Sequence, residues 1–475
     1  METLANSANR GSISTGFDID NSLKFEPDNS EMLYTNSLTA GNRRTWTISM
    51  WVKRTELSYE SAFMYSQGTY GNIRFFTDDK IVIENGGLYL ITNRVFRDTS
   101  AWYHVVWVND STQSTASNRS KLYINGVQET SFSTETYMSQ NQEGNVNSTS
   151  GIYIGRRSSE VKHFAGYIAD VYKIDGQALA PTDFGEFDED TGIWIPKEYT
   201  GGSYSTQGFH LDFSDSSDLG NDSSGENNDF LLQNITSANQ AVDTPTNGFA
   251  HWNVLMAYDG NEGRSEITEG GTTLTNSNTG NGSSNGWYGG AGTIPVTSGK
   301  WYWEYQPFAG TFGYRGVGIM GADYVTDDID DIRDYGPNLY LRDGATPKIY
   351  QHLQSGTNTV YKTMTSWTSN NSDIFAIALN MDDEEITFYR NGTAITENGT
   401  SNTTFSISSV IAQSSPIIFH YQSYGNGTGI YFNFGGYTEM SISSAASDSN
   451  NFGTFEYAPP SGYYALCTKN LAEYG

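Results

Sequence analysis

An all-β chain built as two antiparallel β-sandwich domains is what this sequence predicts, on three observations. Short apolar runs that alternate with polar residues recur through most of the 475 residues, and strict alternation is the signature of a half-buried strand. Aromatic residues make up 14% of the chain, led by 32 Tyr and 24 Phe; they fit a pleated surface, and helix start and stop signals are scarce beside them. Gly, at 50 residues, joins clusters of Asn, Ser and Thr to punctuate the runs at hairpin spacing. The length suits two domains of the usual size, about 100–200 residues each.

The elements follow in order. Residues 1–20 are small and polar without periodicity, which reads as a flexible or partner-bound lead-in. Strands are expected at "SLKF" (22–25), "TWTISMWVK" (45–53), "SAFMYS" (61–66), "IRFFT" (73–77), "KIVIE" (80–84), "LYLITN" (88–93), "AWYHVVWVND" (101–110), "KLYING" (121–126), "GIYIGR" (151–156) and "FAGYIADVYKID" (164–175). In the second of these, Trp46, Ile48, Met50 and Val52 form one apolar face, and Trp51 is the apolar intruder on the other. The run after Asp175 carries more turn residues and acids than alternation and reads as a connector. "FHLDFSD" (209–215) restores a strand, and 237–247, with Pro245, marks a boundary. The expected domains are therefore 21–245, with 180–245 as connector and closing strands, and 246–475 with a C-terminal tail.

The second set comprises "KWYWEYQP" (300–307), "RGVGIMG" (315–321), "LYLR" (339–342), "DIFAIALNMD" (373–382), "EITFYRNG" (385–392), "PIIFHYQS" (416–423), "GIYFNFG" (429–435) and "GYYALCTKN" (462–470). Asn125-Gly126 and Asn391-Gly392 each follow a strand pattern of the same form, and Asn-Gly supplies the two positive-φ residues of a type I′ hairpin turn. Outside that hairpin no residue-level repeat is visible.

Lys+Arg number 26 against 54 Asp+Glu, a formal charge of −28. Such a surface repels phosphate backbones and anionic membranes, so nucleic acid is excluded as a partner. No apolar run reaches the length of a membrane span, and no membrane insertion is expected. A single cysteine, Cys467, rules out a disulfide within the chain and reads as an inert buried thiol. The Asn-x-Ser/Thr triplets at Asn118, Asn147, Asn234, Asn391 and Asn426 read as composition, because the N-terminus lacks the apolar core of a secretory signal.

"SLKF", "TWTISMWVK", "AWYHVVWVND", "KLYINGV", "IYIGR" and "FAGYIADVYKIDGQAL", in that order, resemble the laminin-G-like branch of concanavalin A-like jelly rolls over about residues 21–180. "LDFSDSSDLGNDSSGENN" looks like the opening of such a domain but here follows it, and is expected to pack on the same sandwich. "SGKWYWEYQ", "GVGIM", "DIFAIALNMDDEEITFYRNG", "PIIFHY" and "YFNFG" resemble a SPRY-like domain over about 295–436. This pairing, with the closing "PPSGYYALCTKNLAEYG", looks like structural or adhesion proteins of tailed bacteriophages, particularly marine ones. The resemblance implies a virion protein on the particle surface, assembled in the host cytoplasm as a homo-oligomer, either a capsid fibre or knob or a tail appendage. Its implied partners are other virion proteins, reached through residues 1–20, and host-surface glycan.

Enzymes of the concanavalin A-like class place paired carboxylates at an E-x-D-x-x-E spacing, which Glu26, Asp28 and Glu31 spell, but Pro27, Asn29 and Ser30 make that stretch a turn. Gly282-Ser283-Ser284-Asn285-Gly286 fits G-x-S-x-G by letter without the strand and helix a nucleophile elbow needs. The chain is accordingly read as no enzyme and as needing no cofactor, with a glycan depolymerase and a purely architectural component as the competing readings. Asp327, Asp328, Asp330 and Asp331, with Asp334, are the weak candidates for a structural Ca²⁺, and "EFDEDTG" (186–192) is another; a solvated acidic loop is the simpler reading of both. His104 and His420 fall inside strands, where a satisfied histidine is the default. The binding candidates are loop aromatics and arginines, Tyr65, Tyr70, Arg74, Tyr324, Arg333, Tyr335, Tyr340, Tyr421 and Tyr424, because such side chains pair an apolar face with a polar donor.

Overall fold

Trp46, Ile48, Met50 and Val52 all enter one core from the strand Thr45–Arg54, as their alternation requires. That core belongs to the first of two units, Met1–Gly248 and Phe249–Gly475. The computed structural model describes residues 16–36, 39–66, 71–157, 162–259, 265–276, 287–309, 315–324, 337–342, 346–353, 359–367, 370–424 and 429–475.

The first unit is two antiparallel sheets. One runs in the order Val127–Glu129, Ser120–Ile124, Tyr103–Asp110, Thr45–Arg54, Gly166–Asp175, Ser22–Phe25, Gln240–Ala241. The other runs Phe132–Thr136, Leu88–Val95, Lys80–Asn85, Gly71–Phe75, Ser61–Ser66, Ile152–Ile154, Met32–Tyr34, Leu231–Gln233. Phe209, Leu211, Phe213, Leu219, Phe230 and Ile235 join the same core, so the segment after the connector is structural. Residues 237–247 are docked as well: Asp243 accepts from Lys53 Nζ at 2.7 Å and from Trp102 Nε1 at 3.1 Å, all buried.

The second unit repeats this strand order. Its sheets run Thr393–Ala394, Glu385–Arg390, Phe375–Asn380, Lys300–Ala309, Gly429–Asn433, Thr273–Asn276, Ser265–Thr268 and Thr359–Thr363, Lys348–His352, Asn338–Arg342, Arg315–Gly321, Ile417–Tyr424, Trp287–Ala291, Tyr258–Asp259. The repeat is one of topology, which residue-level comparison of the halves does not reveal. The closing edge strands differ in origin: they come after the sandwich in the first unit (231–241) and before it in the second (258–268). The final run also differs from its expected strand. It ends at Ala465, and Thr468–Tyr474 is a helix whose Tyr474 stacks on Tyr464 at 3.9 Å.

Each unit seals the outer face of its first-named sheet with a strap. In the first unit, a hairpin of Gly185–Phe187 and Trp194–Pro196 lies there. Trp51 stacks on His104 at 4.6 Å and His104 on Trp194 at 5.9 Å, which is why an apolar residue sits on the polar side of that strand. The Trp194 indole N–H donates to His104 Nδ1 at 2.9 Å, so Nε2 carries the proton toward Ser49 Oγ at 2.8 Å. Burial pushes His104 down to about 3, and the ring is neutral.

The Asn-Gly turns are anchored alike in both units. Asn125 brackets His104, its N–H donating to the carbonyl at 2.9 Å and its Oδ1 accepting the N–H at 2.7 Å. Asn391 does the same to Ile374 at 2.7 and 2.9 Å. Both asparagines and the glycines after them have positive φ. In the second unit the strap is residues 436–467, held by the buried Glu304, which accepts from Tyr302 OH, Asn433 Nδ2 and the N–H groups of Glu456 and Tyr457 at 2.8–3.1 Å.

Candidate functional site

The candidate surface lies on the outer face of the other sheet of the first unit. Its strands turn Leu33, Ile154, Met64, Ile73, Ile83 and Leu90 inward. Alternation therefore sends Tyr34, Tyr153, Tyr65, Asn72, Glu84 and Tyr89 outward. These six residues stand directly opposite one another from strand to strand, forming one continuous row across the sheet. Tyr34, Tyr153 and Tyr89 are half-buried, which leaves ring faces for contact, whereas Tyr65 and Asn72 are buried between them. The Tyr34 and Tyr153 rings are 6.4 Å apart, and the Arg156 guanidinium lies 5.6 Å from the Tyr153 ring.

Arg74 sits one pleat along from this row and ties it together. Its guanidinium meets Glu60 at 3.1 Å and Glu84 at 3.3 Å, and also donates to Asn72 Oδ1. Arg157 reaches the same Glu60 oxygen. Both carboxylates are thus committed to guanidinium groups. The arrangement is a fixed polar grid flanked by aromatic faces, suited to hydrogen-bonding and stacking on a planar or ring-shaped ligand.

The sequence-predicted residues divide clearly. Tyr65, Arg74, Tyr340 and Tyr421 were expected in loops; all four lie in strands and are buried, Tyr421 in the second core. Arg74 is the centre of the grid and Tyr65 a member of the row, while Tyr421 is a packing residue. Tyr70, Arg333, Tyr335, the calcium candidates Asp327, Asp328, Asp330 and Asp331, and the Gly282–Gly286 motif lie outside the described residues, as do the side chains of Tyr324 and Tyr424. Among the described residues no group of three or more His, Cys, Asp or Glu is placed to hold a metal ion. Asp188 of the "EFDEDTG" loop instead accepts from Thr191 N and Oγ1, both at 2.7 Å. Tyr34, Tyr89 and Tyr153 were missed, although the patterns "LYL" and "IYI" signal them: aliphatics point in and the tyrosine between them points out.

Two constellations with a catalytic look are accounted for structurally. Residues 27–30 form the expected turn, and Glu31 is buried against Lys24 at 3.2 Å while accepting the Glu26 N–H at 2.6 Å; burial raises its pKa. Ser223 Oγ is 2.9 Å from His210 Nδ1, and His210 Nε2 is 2.7 Å from Asp170 Oδ1. A serine nucleophile needs oxyanion donors beside it. Here the Ser223 N–H is spent on the His210 carbonyl and the Ser224 N–H on Asp222 Oδ1. The imidazole stacks on Tyr172 at 4.0 Å and clamps the 209–224 segment to the bulge at Asp170. Among the described residues no helix is long and apolar enough to cross a membrane.

The family comparison agrees with this architecture over part of the first unit. Residues 27–183, about a third of the chain, match the laminin-G family model of the concanavalin A-like lectin/glucanases superfamily. No curated protein matches the chain. Among solved structures, the chain is similar to a human SPRY domain (18% identity, 34% of this chain and 91% of that one, TM-score 0.24). It is also similar to the LG1-3 region of the laminin alpha2 chain (9% identity, 87% of this chain and 62% of that one, TM-score 0.30).

Proposed function

We propose that the chain is a non-enzymatic binding protein whose first unit holds saccharide on the row Tyr34–Tyr153–Tyr65–Asn72–Glu84–Tyr89. The observation that carries this reading is the row itself: the half-buried rings of Tyr34 and Tyr153 at one end and Tyr89 at the other flank the Asn72 amide and the Glu84 carboxylate, with the Arg74 guanidinium one pleat along. Sugar rings present C–H faces to aromatics and hydroxyls to fixed polar groups, and the two kinds of contact complement each other there. The family match over 27–183 is to a superfamily of lectins and glucanases alike, and the commitment of Glu60 and Glu84 to Arg74 is what favours the lectin-like use here. The setting proposed, on the sequence resemblance, is the surface of a tailed-phage virion, with residues 1–20 joining neighbouring virion proteins and host glycan as the target. Many copies on one particle would multiply a weak single-site affinity.

Titration of the full chain with a panel of neutral and acidic oligosaccharides by calorimetry tests the reading. Binding should weaken about tenfold, about 1.4 kcal/mol, in Tyr153→Ala. Release of reducing ends from the same oligosaccharides would replace it with the depolymerase reading.

A further inference from the structure

Asparagine followed by glycine is the pair most open to attack by its own backbone, because the next peptide nitrogen can reach the side-chain amide and glycine puts no side chain in the way. Five such pairs fall among the described residues, at Asn85, Asn125, Asn247, Asn391 and Asn398; those at Asn281, Asn285 and Asn426 lie outside them. Four of the five are held. Asn85 is fully buried, its Oδ1 accepting the N–H groups of Asn145 at 2.6 Å and Val146 at 3.1 Å. The Oδ1 atoms of Asn125 and Asn391 are tied to the N–H groups of His104 and Ile374, and Asn391 Nδ2 donates to Asp373 Oδ1 at 2.8 Å. Rings pack those two turns from outside, Trp194 on Gly126 and Tyr457 on Gly392. Asn247 is buried, with its N–H and its carbonyl both bonded to Thr244, at 3.1 and 3.2 Å.

Asn398 differs at each point. It is exposed at the tip of the turn 397–400, which the Thr400 N–H closes onto the Glu397 carbonyl at 3.1 Å. Gly399 takes the third place of that turn with a φ of +76°, and no atom lies within 4 Å of where its β-carbon would be. Among the described residues the Asn398 carboxamide makes no hydrogen bond, and neither does the peptide link that joins Asn398 to Gly399. That link has room to rotate until its nitrogen faces the side-chain carbon.

We infer that Asn398 is a site of spontaneous deamidation and isomerisation, the fastest of the described Asn-Gly pairs. The Gly399 nitrogen gives its proton to hydroxide and attacks Asn398 Cγ. The new C–N bond closes a succinimide ring, and the side-chain nitrogen takes a proton from water and leaves as ammonia, which regenerates the hydroxide. Water then opens the ring at either carbonyl, giving aspartate or isoaspartate; in isoaspartate the main chain runs through the former side chain and is longer by one carbon. The product adds a negative charge next to Glu397, whose carboxylate is paired with Lys362 at 3.0 Å. The lengthened turn also bears on the edge strand Thr359–Thr363, because the Asn398 N–H donates to the Thr363 carbonyl at 2.9 Å. No step involves the first unit or a saccharide.

The test incubates the full folded chain in mildly alkaline buffer, with the same chain unfolded in urea alongside, and follows each pair by peptide mapping with electron-transfer fragmentation, which separates isoaspartate from aspartate. In the folded chain Asn398 should convert about tenfold faster than Asn85, Asn125, Asn247 or Asn391. In urea the five should convert at similar rates, because only local sequence then distinguishes them. Asn398→Gln, whose longer side chain closes no such ring readily, should leave that peptide unconverted and the melting temperature unchanged. An equal or greater rate at any of the four held pairs in the folded chain overturns the assignment. So does an Asn398 that stays intact when folded while it converts in urea, and a ranking that persists in urea overturns its structural cause.

Discussion

Trp194 lies on Gly126 with its indole in the space a β-carbon would occupy. Tyr457 lies on Gly392 in the same way, 2.6 Å from where that carbon would be. Both glycines have positive φ, +77° and +72°, so two independent constraints meet at each turn. Gly126→Ala and Gly392→Ala should each cost more than the about 1 kcal/mol of backbone strain alone, on the order of 2–4 kcal/mol with the displaced ring included. Urea denaturation measures it, and loss of the Trp194 fluorescence environment should accompany the first substitution only.

Arg74 holds two carboxylates, Glu60 and Glu84, on a face where it is itself buried. Arg74→Met should destabilise the first unit by about 3 kcal/mol, the low end for removing one partner of a buried ion network, because Arg157 still serves Glu60. Saccharide affinity should fall with it. Chemical denaturation and calorimetry on the same variant separate the two effects.

Acid should destabilise the protein before its carboxylates protonate. His104 and His420 are each pushed down to about 3 by burial, against about 6.5 when unfolded. Between those values the unfolded chain binds more protons than the folded one, so stability falls as pH drops below about 6.5. Each ring contributes a slope of up to about 1.4 kcal/mol per pH unit. Glu31 and Glu304, both raised by burial, act in the opposite sense from about pH 4.5 upward and so offset part of this decline. Denaturation midpoints at pH 7.5, 6.5 and 5.5 should show the decline, to which His163, also lowered by burial, adds, and His420→Phe should reduce its initial slope.

Lys173 makes the complementary prediction on the alkaline side. Fully buried, with Nζ 2.6 Å from the Gln207 carbonyl, it is lowered to about 8 by burial, partly offset by Asp175. From about 8 to about 10.5 the unfolded chain again holds more protons, so this group's contribution rises with pH through that window. Lys173→Met should abolish the rise and leave the protein at least as stable at pH 7, as measured by thermal unfolding across pH 7–10.

The strands were legible in the sequence because alternation and turn chemistry are local. In Thr45–Arg54 even the exception, Trp51, was visible, but its cause was not: Trp194, 143 positions later (194 minus 51), joins the stack through His104. The straps escaped notice for that reason, since contacts made by one aromatic on one distant glycine leave no periodic trace. The candidate row was half legible. "IYI" around Tyr153 announces an outward tyrosine, yet nothing local reveals that it stands opposite Tyr34 and Tyr65. Arg74 was named for its chemistry among loop residues, although its own run, "IRFFT", reads as a strand. His420 was given the default role of a satisfied histidine; its cross-strand neighbour Gly318 lies 102 positions upstream (420 minus 318).

The late arrival of the segment 209–243 also governs how the first unit can be handled. A fragment expressed only to residue 183, where the family match stops, would lack Phe209, Leu211, Phe213, Leu219, Phe230 and Ile235 from its interior and Trp194 from its lid. On the ribosome the same sandwich has to wait for Asp243 to emerge before Lys53 and Trp102 find their counter-ion and acceptor. Proteolytic dissection should accordingly yield a stable N-terminal piece that ends near 248 and never one that ends near 183.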